Sequence, residues 1–113
     1  MPEPDTLYAC FTTVPEKDQA DSLAEDIVEN RLAACVQIDS PVTSVYRWQG
    51  KTEKGQEHRL VIFAPERKLG ELESLVHDRH PYDTPKWVCC KAEKVSEKYL
   101  KWANEACNLR GFI

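Results

Sequence analysis

The apolar residues of this chain change their spacing in a set order, from a period of two to a period near 3.6 and back, and that order leaves few folds open. Leu7 to Val14 reads as a strand, apolar with aromatic and Thr residues, closed by Pro15, which suits the first turn of a helix. Ala20, Leu23, Ala24, Ile27 and Val28 then recur at three- and four-residue steps, with Glu16, Asp18 and Asp21 near the positive N-terminal end. From Ala33 to Gln49 the pattern is extended again, Val36 and Ile38 forming one alternating set and Val42, Tyr46 and Trp48 another. Pro41 lies between the sets and cannot donate to a ladder, so a bulge or bend is expected there. A turn region over Gly50 to Gly55 is expected to return the chain into a run where Leu60 and Ile62 alternate with Val61 and Phe63. Residues 33–65 should therefore form a long, bent, protruding hairpin.

Leu69, Leu72, Leu75 and Val76 mark a second amphipathic helix that stops before Pro81, because the residue preceding Pro disfavours helical backbone. Trp87 to Ala92 reads as a further strand. Ser96 then caps a last helix in which Tyr99, Trp102, Ala103 and Ala106 share a face, ending near Gly111. Strand, helix, strand, strand, helix, strand is the order of the ferredoxin-like split βαβ sandwich, an α+β fold with a four-stranded antiparallel sheet, here with a long bent second strand and an extra C-terminal helix. Right-handed crossovers place both main helices on one sheet face. Apolar side chains on both parities of the strands predict that another subunit covers the rest.

Length and composition bound the function. The 113 residues suit one domain, with 1–6 expected as a loose N-terminal extension, and 42% hydrophobic with 30% charged residues is the mixture of a chain that folds. A net charge of −4 without a Lys/Arg-rich run argues against nucleic acid or a membrane surface as partner. No segment approaches the roughly 20 apolar residues that span a bilayer, and the acidic, Pro-rich start does not read as a signal peptide, so a cytoplasmic location is expected.

Five cysteines, Cys10, Cys35, Cys89, Cys90 and Cys107, form no C-x-x-C pair and are expected to be reduced core thiols, with Cys89 and Cys90 on opposite faces of their strand. The loop Thr12-Thr13-Val14-Pro15-Glu16 carries no thiol for a soft metal and no Arg or Gly for an oxyanion, which sets aside a metal carrier and a small phosphatase. The densest polar cluster is His77 to Asp83. If the helix persists, His77 and His80 lie on nearly one face and can share a divalent ion with Asp83; the competing reading is a helix C-terminus whose cations meet the dipole.

The runs Asn30-Arg31-Leu32-Ala33-Ala34-Cys35-Val36, Thr43-Ser44-Val45-Tyr46-Arg47-Trp48-Gln49-Gly50-Lys51, His80-Pro81-Tyr82-Asp83-Thr84-Pro85 and Tyr99-Leu100-Lys101-Trp102, in this order, resemble the CutA family of divalent-cation tolerance proteins. The resemblance implies a homotrimer whose long bent strands complete one another's sheets, binding copper or another divalent cation, and a cleft between subunits lined by Tyr46, Trp48, Glu57, His80 and Tyr82. It further implies metal ligation at His80. Some members add a Cys at the position of Thr12 and a His at that of Arg79, and Arg cannot be deprotonated to serve as a ligand. Phe63-Ala64 replaces the Lys-Thr usual there, and Lys86 the usual Glu, both changing charge near the implied cleft.

The expected function is that of a non-enzymatic, trimeric metal-response protein that binds a divalent ion or small ligand in that cleft. A signalling module like the trimeric nitrogen-regulatory proteins would instead hold a metabolite or nucleotide between subunits. A cysteine-dependent enzyme would need an accessible, thiolate-prone Cys.

Overall fold

The computed structural model describes residues 4–108. In chain order the elements are β1 (Leu7–Val14), α1 (Lys17–Glu29), β2 (Cys35–Ile38), β3 (Val42–Trp48), β4 (Lys51–Pro65), a 3-10 turn (Glu66–Lys68), α2 (Leu69–Arg79), β5 (Val88–Lys91) and α3 (Glu97–Ala106). The sheet runs β2-β4-β1-β5, antiparallel throughout, with β3 paired to the other half of β4. This is the expected fold with five strands where four were expected. The long second strand is interrupted at 39–41, around Pro41, so its halves β2 and β3 pair with β4 separately, and Arg59 Nε donates to Asp39 Oδ2 at 2.6 Å beside the break.

Several local expectations need correction. The hairpin turns in two residues: Gln49 and Gly50 have φ of 50° and 79°, the pair of positive values a tight twisted hairpin requires, and β4 already begins at Lys51. The turn expected to extend to Gly55 is therefore strand. Pro15 lies before α1, because Glu16 is the N-cap and exchanges a capping box with Gln19. The helix ends with Arg31 at φ 58°, Arg31 N–H donating to Val28 O and Leu32 N–H to Ile27 O, a closure that glycine usually supplies. Ser96 caps α3 as expected, accepting from Tyr99 N–H at 3.3 Å, but the helix stops at Ala106; the expected end at Gly111 lies outside the described residues.

The core sits between α1, α2 and one sheet face. Cys10 and Val14 of β1 and Leu60, Ile62 and Ala64 of β4 alternate inward against Ala20, Leu23, Ala24 and Ile27 of α1 and Leu72 and Val76 of α2. Period two meeting period 3.6 is what the sequence displays, and burying each Val, Leu or Ile among them is worth about 1.5–3 kcal/mol. On the opposite face α3 covers one end only, Ala103 and Cys107 packing with Leu7, Ala34 and Phe63. Of the segment expected to be loose, Asp5 and Thr6 are tied down: Asp5 N–H donates to Asn104 Oδ1 at 2.9 Å, Asn104 Nδ2 to Asp5 O at 3.1 Å, and Glu66 N–H to Thr6 O.

Candidate functional site

The sequence candidates converge where β1 ends, beside the bend of the long hairpin. His80 is the first residue after α2, with φ −76° and ψ 137°, because Pro81 follows it and excludes helical backbone. The extended step aims the imidazole at β1: Nε2 lies 2.9 Å from Thr13 O and 3.2 Å from Thr12 Oγ1. On the ring's other side Tyr82 N–H donates to Nδ1 at 3.1 Å. A nitrogen that accepts an amide proton carries none, so the ring is the neutral Nε2–H tautomer donating to Thr13 O. Burial lowers the pKa of His80 and the charge of His77 acts the same way, against the Thr13 carbonyl and Glu57.

From this anchor Tyr82 reaches back, its hydroxyl donating to Glu57 Oε2 at 2.9 Å, with the His80 and Tyr82 rings 5.1 Å apart. Burial pushes the Glu57 carboxyl up, but hydrogen bonding from Ser44, Tyr82 and Thr13 and the charge of Lys86 together hold it below the usual range, so it is ionised. Tyr82 moves the other way, to about 12, through burial and then the hydrogen bond and charge of Glu57. Ser44 and Thr13 are not among the site residues expected from the sequence, and Thr12 enters there only as a position without the thiol. The two Thr at a strand end were visible in the sequence, but nothing local marks what their hydroxyls meet.

Tyr46 is near enough for its charge to act on Tyr82, and the register Val42↔Glu57, Tyr46↔Glu53 puts it on the face of Glu57. Trp48 shares that face but stands four residues beyond Ser44, about 13 Å along the strand, and one chain does not bring it to Glu57. The His77 and His80 pairing does not form. Because α2 ends at Arg79, His77 stays on the helix, its Nδ1 2.9 Å from Glu73 O and its ring 6.3 Å from that of Trp87. Arg79 is ion-paired with Asp26 of α1. Among the described residues no three His, Cys, Asp or Glu side chains converge, so one chain does not supply a divalent ion with its usual ligand set.

Two surfaces beside the site are open. Among the described residues nothing pairs with the outer edge of β3, and Val45, Tyr46 and Trp48 are 62%, 49% and 54% exposed. On the second sheet face Val88 pairs with Phe11, itself opposite Val61, and is exposed, as is Trp102 on α3. Of the cysteines, Cys10 and Cys107 are buried, Cys35 and Cys89 half-buried, and Cys90, expected in the core, is exposed, on the opposite face from Cys89.

The family model described as CutA1 divalent ion tolerance protein matches residues 8–106. The chain is 34% identical to a Xenopus laevis protein named Protein CutA homolog, over 88% of this chain and 66% of that one, and spans 50% of the chloroplastic CutA protein of Arabidopsis thaliana. It is 38% identical to the divalent-cation tolerance protein CutA of Thermus thermophilus, over 82% of this chain and 90% of that one. The solved structure described as a divalent cation tolerance protein (Cut A1) from Thermus thermophilus superposes with a TM-score of 0.86 at 35% identity, covering 88% of this chain and 97% of that one.

Proposed function

The chain belongs to the CutA1 divalent ion tolerance family, and from that premise we propose that it works in the cytoplasm without catalysis, as a homotrimer. Its subunits join through the outer edge of β3 and the second sheet face. They enclose a cleft based on Glu57, His80 and Tyr82, with Tyr46 and Trp48 extending its wall toward a neighbouring copy. A divalent ion or small ligand binds there. Copper through His80 alone is weak, since both ring nitrogens already serve hydrogen bonds within the chain, and a full ligand set needs groups from a second copy.

The observation that carries this reading is the edge of β3. Along the seven residues of β3, which include Val45, Tyr46 and Trp48, the backbone groups that alternate away from β4 have no partner among the described residues. Natural sheets do not leave such an edge long, flat and apolar; they charge it, shorten it or pair it. The test combines sedimentation of the metal-free protein at micromolar concentration with calorimetric titration by Cu(II), Zn(II) and a nucleotide panel. A trimer that takes up a divalent ion supports the reading. A monomer overturns it, and a nucleotide bound between subunits transfers the chain to the signalling class.

A further inference from the structure

We propose that the Glu57 site takes a small organic cation, a primary or quaternary ammonium, in preference to an anion or a bare metal ion. The inference rests on the location of the site argued above and adds the charge and class of its ligand.

Glu57 is partly buried, the Tyr82 hydroxyl donates to it, and the Ser44 and Thr13 hydroxyls beside it are neutral too. Among the described residues it has no ion-pair partner within 4.0 Å. A carboxylate drawn from water normally acquires a cation, since desolvation penalises a lone charge. Beside it stand open aromatic rings: Tyr82, which bonds it, is 38% exposed, the His80 ring stacks obliquely on Tyr82, and Tyr46, further out on the same strand face and near enough to act on Tyr82, is 49% exposed. Aromatic faces beside a carboxylate attract an ammonium by charge and quadrupole together. An anion would find the opposite. The His80 Nε2 proton is committed to Thr13 O, its Nδ1 accepts, and the Tyr82 hydroxyl is committed to Glu57. Among the described residues a bare divalent ion would find one carboxylate and no set of three ligands.

Lys86 makes the inference testable by sign. Its charge acts on Glu57 without forming a salt bridge, so its ammonium competes with an incoming cation and would assist an incoming anion.

The test titrates the full-length protein in its native oligomeric state with choline and tetramethylammonium, with acetate as the anionic control, by calorimetry and tyrosine fluorescence. Saturable choline binding is expected, weakened about tenfold by Tyr46→Ala and at least as much by Glu57→Gln, and tightened by Lys86→Ala. Acetate binding that weakens in Lys86→Ala overturns the inference. So does an absence of choline binding while Glu57→Gln loosens the oligomer, since a side chain of a second copy then fills the place. A monomer that still binds choline defeats the trimer and leaves the cation site standing; a trimer that binds Zn(II) but no ammonium does the reverse.

Discussion

The Tyr82 hydroxyl donates to Glu57 Oε2 at 2.9 Å across 25 residues of sequence, and so ties the turn after α2 to the base of the β3-β4 hairpin. Tyr82→Phe keeps the ring and removes that bond. A loss of about 1 kcal/mol is expected, less than the roughly 1.5–3 kcal/mol of a hydrogen bond to a charged group because both side chains meet solvent. The same contact favours the neutral phenol: with its folded pKa at about 12, above the unfolded value of 10.0, its contribution is complete below pH 10 and disappears as pH rises to 12. Tyr8 and Tyr99 are raised too, so a UV-monitored phenolate titration should be read by difference: the latest tyrosine disappears in Tyr82→Phe and comes earlier in Glu57→Gln.

His80 gives the acid limb. Its folded pKa lies below 6.5, so its contribution is present above that value and is lost as pH falls through the folded pKa, when a proton on Nδ1 would face the Tyr82 N–H. Denaturant midpoints should fall on acidification in the parent more than in His80→Ala. Equal slopes in the two proteins would show that the imidazole latch does not hold. Cu(II) affinity at micromolar level or weaker, largely lost in His80→Ala and kept in His58→Ala, is the matching metal result.

Val45 lies in the middle of β3, 62% exposed, with an unpaired strand edge beside it. Val45→Pro removes a backbone donor there and should lower the sedimentation mass while circular dichroism stays that of the parent. An unchanged assembly would place the interface elsewhere.

Asn104 is 8% exposed and joins three segments: Oδ1 accepts from Arg67 Nη1 at 2.6 Å and from Asp5 N–H, while Nδ2 donates to Asp5 O and Leu100 O. Asn104→Ala strands these groups and should cost about 2–3 kcal/mol in urea unfolding. A loss within 0.5 kcal/mol, the scale of neutral surface changes, would mean that water replaces the network.

The thiols should react in an order set by burial. Burial raises the pKa of Cys10 and of Cys107, and both are shielded, whereas Cys90 faces solvent. Native labelling should modify Cys90 first, with Cys10 and Cys107 reacting only on unfolding. Fast native labelling of Cys10 would point to the cysteine-dependent enzyme instead.

The order of elements, the bend at Pro41, the cap at Ser96 and the buried faces of β1, α1, β4 and α2 were determined by sequence alone, Val28 of α1 apart, which is 42% exposed at the margin of its face, because a repeat of 2 or 3.6 says which side of its own element a residue occupies. The same local chemistry ends α2 before Pro81 and so separates His77 from His80. Which elements meet was decided by the tertiary structure. Thr13, Ser44, Glu57 and Tyr82 come from four segments, and no local repeat encodes that the turn after α2 crosses to the bend of the hairpin; crossover and strand register set it. Asp5, expected to be loose, is held because Asn104, 99 residues away, presents its amide to it. Trp48 stays apart from Glu57 for the converse reason: alternation puts both on one face, while the rise of about 3.3 Å per residue carries Trp48 out along the hairpin, beyond what one chain can close.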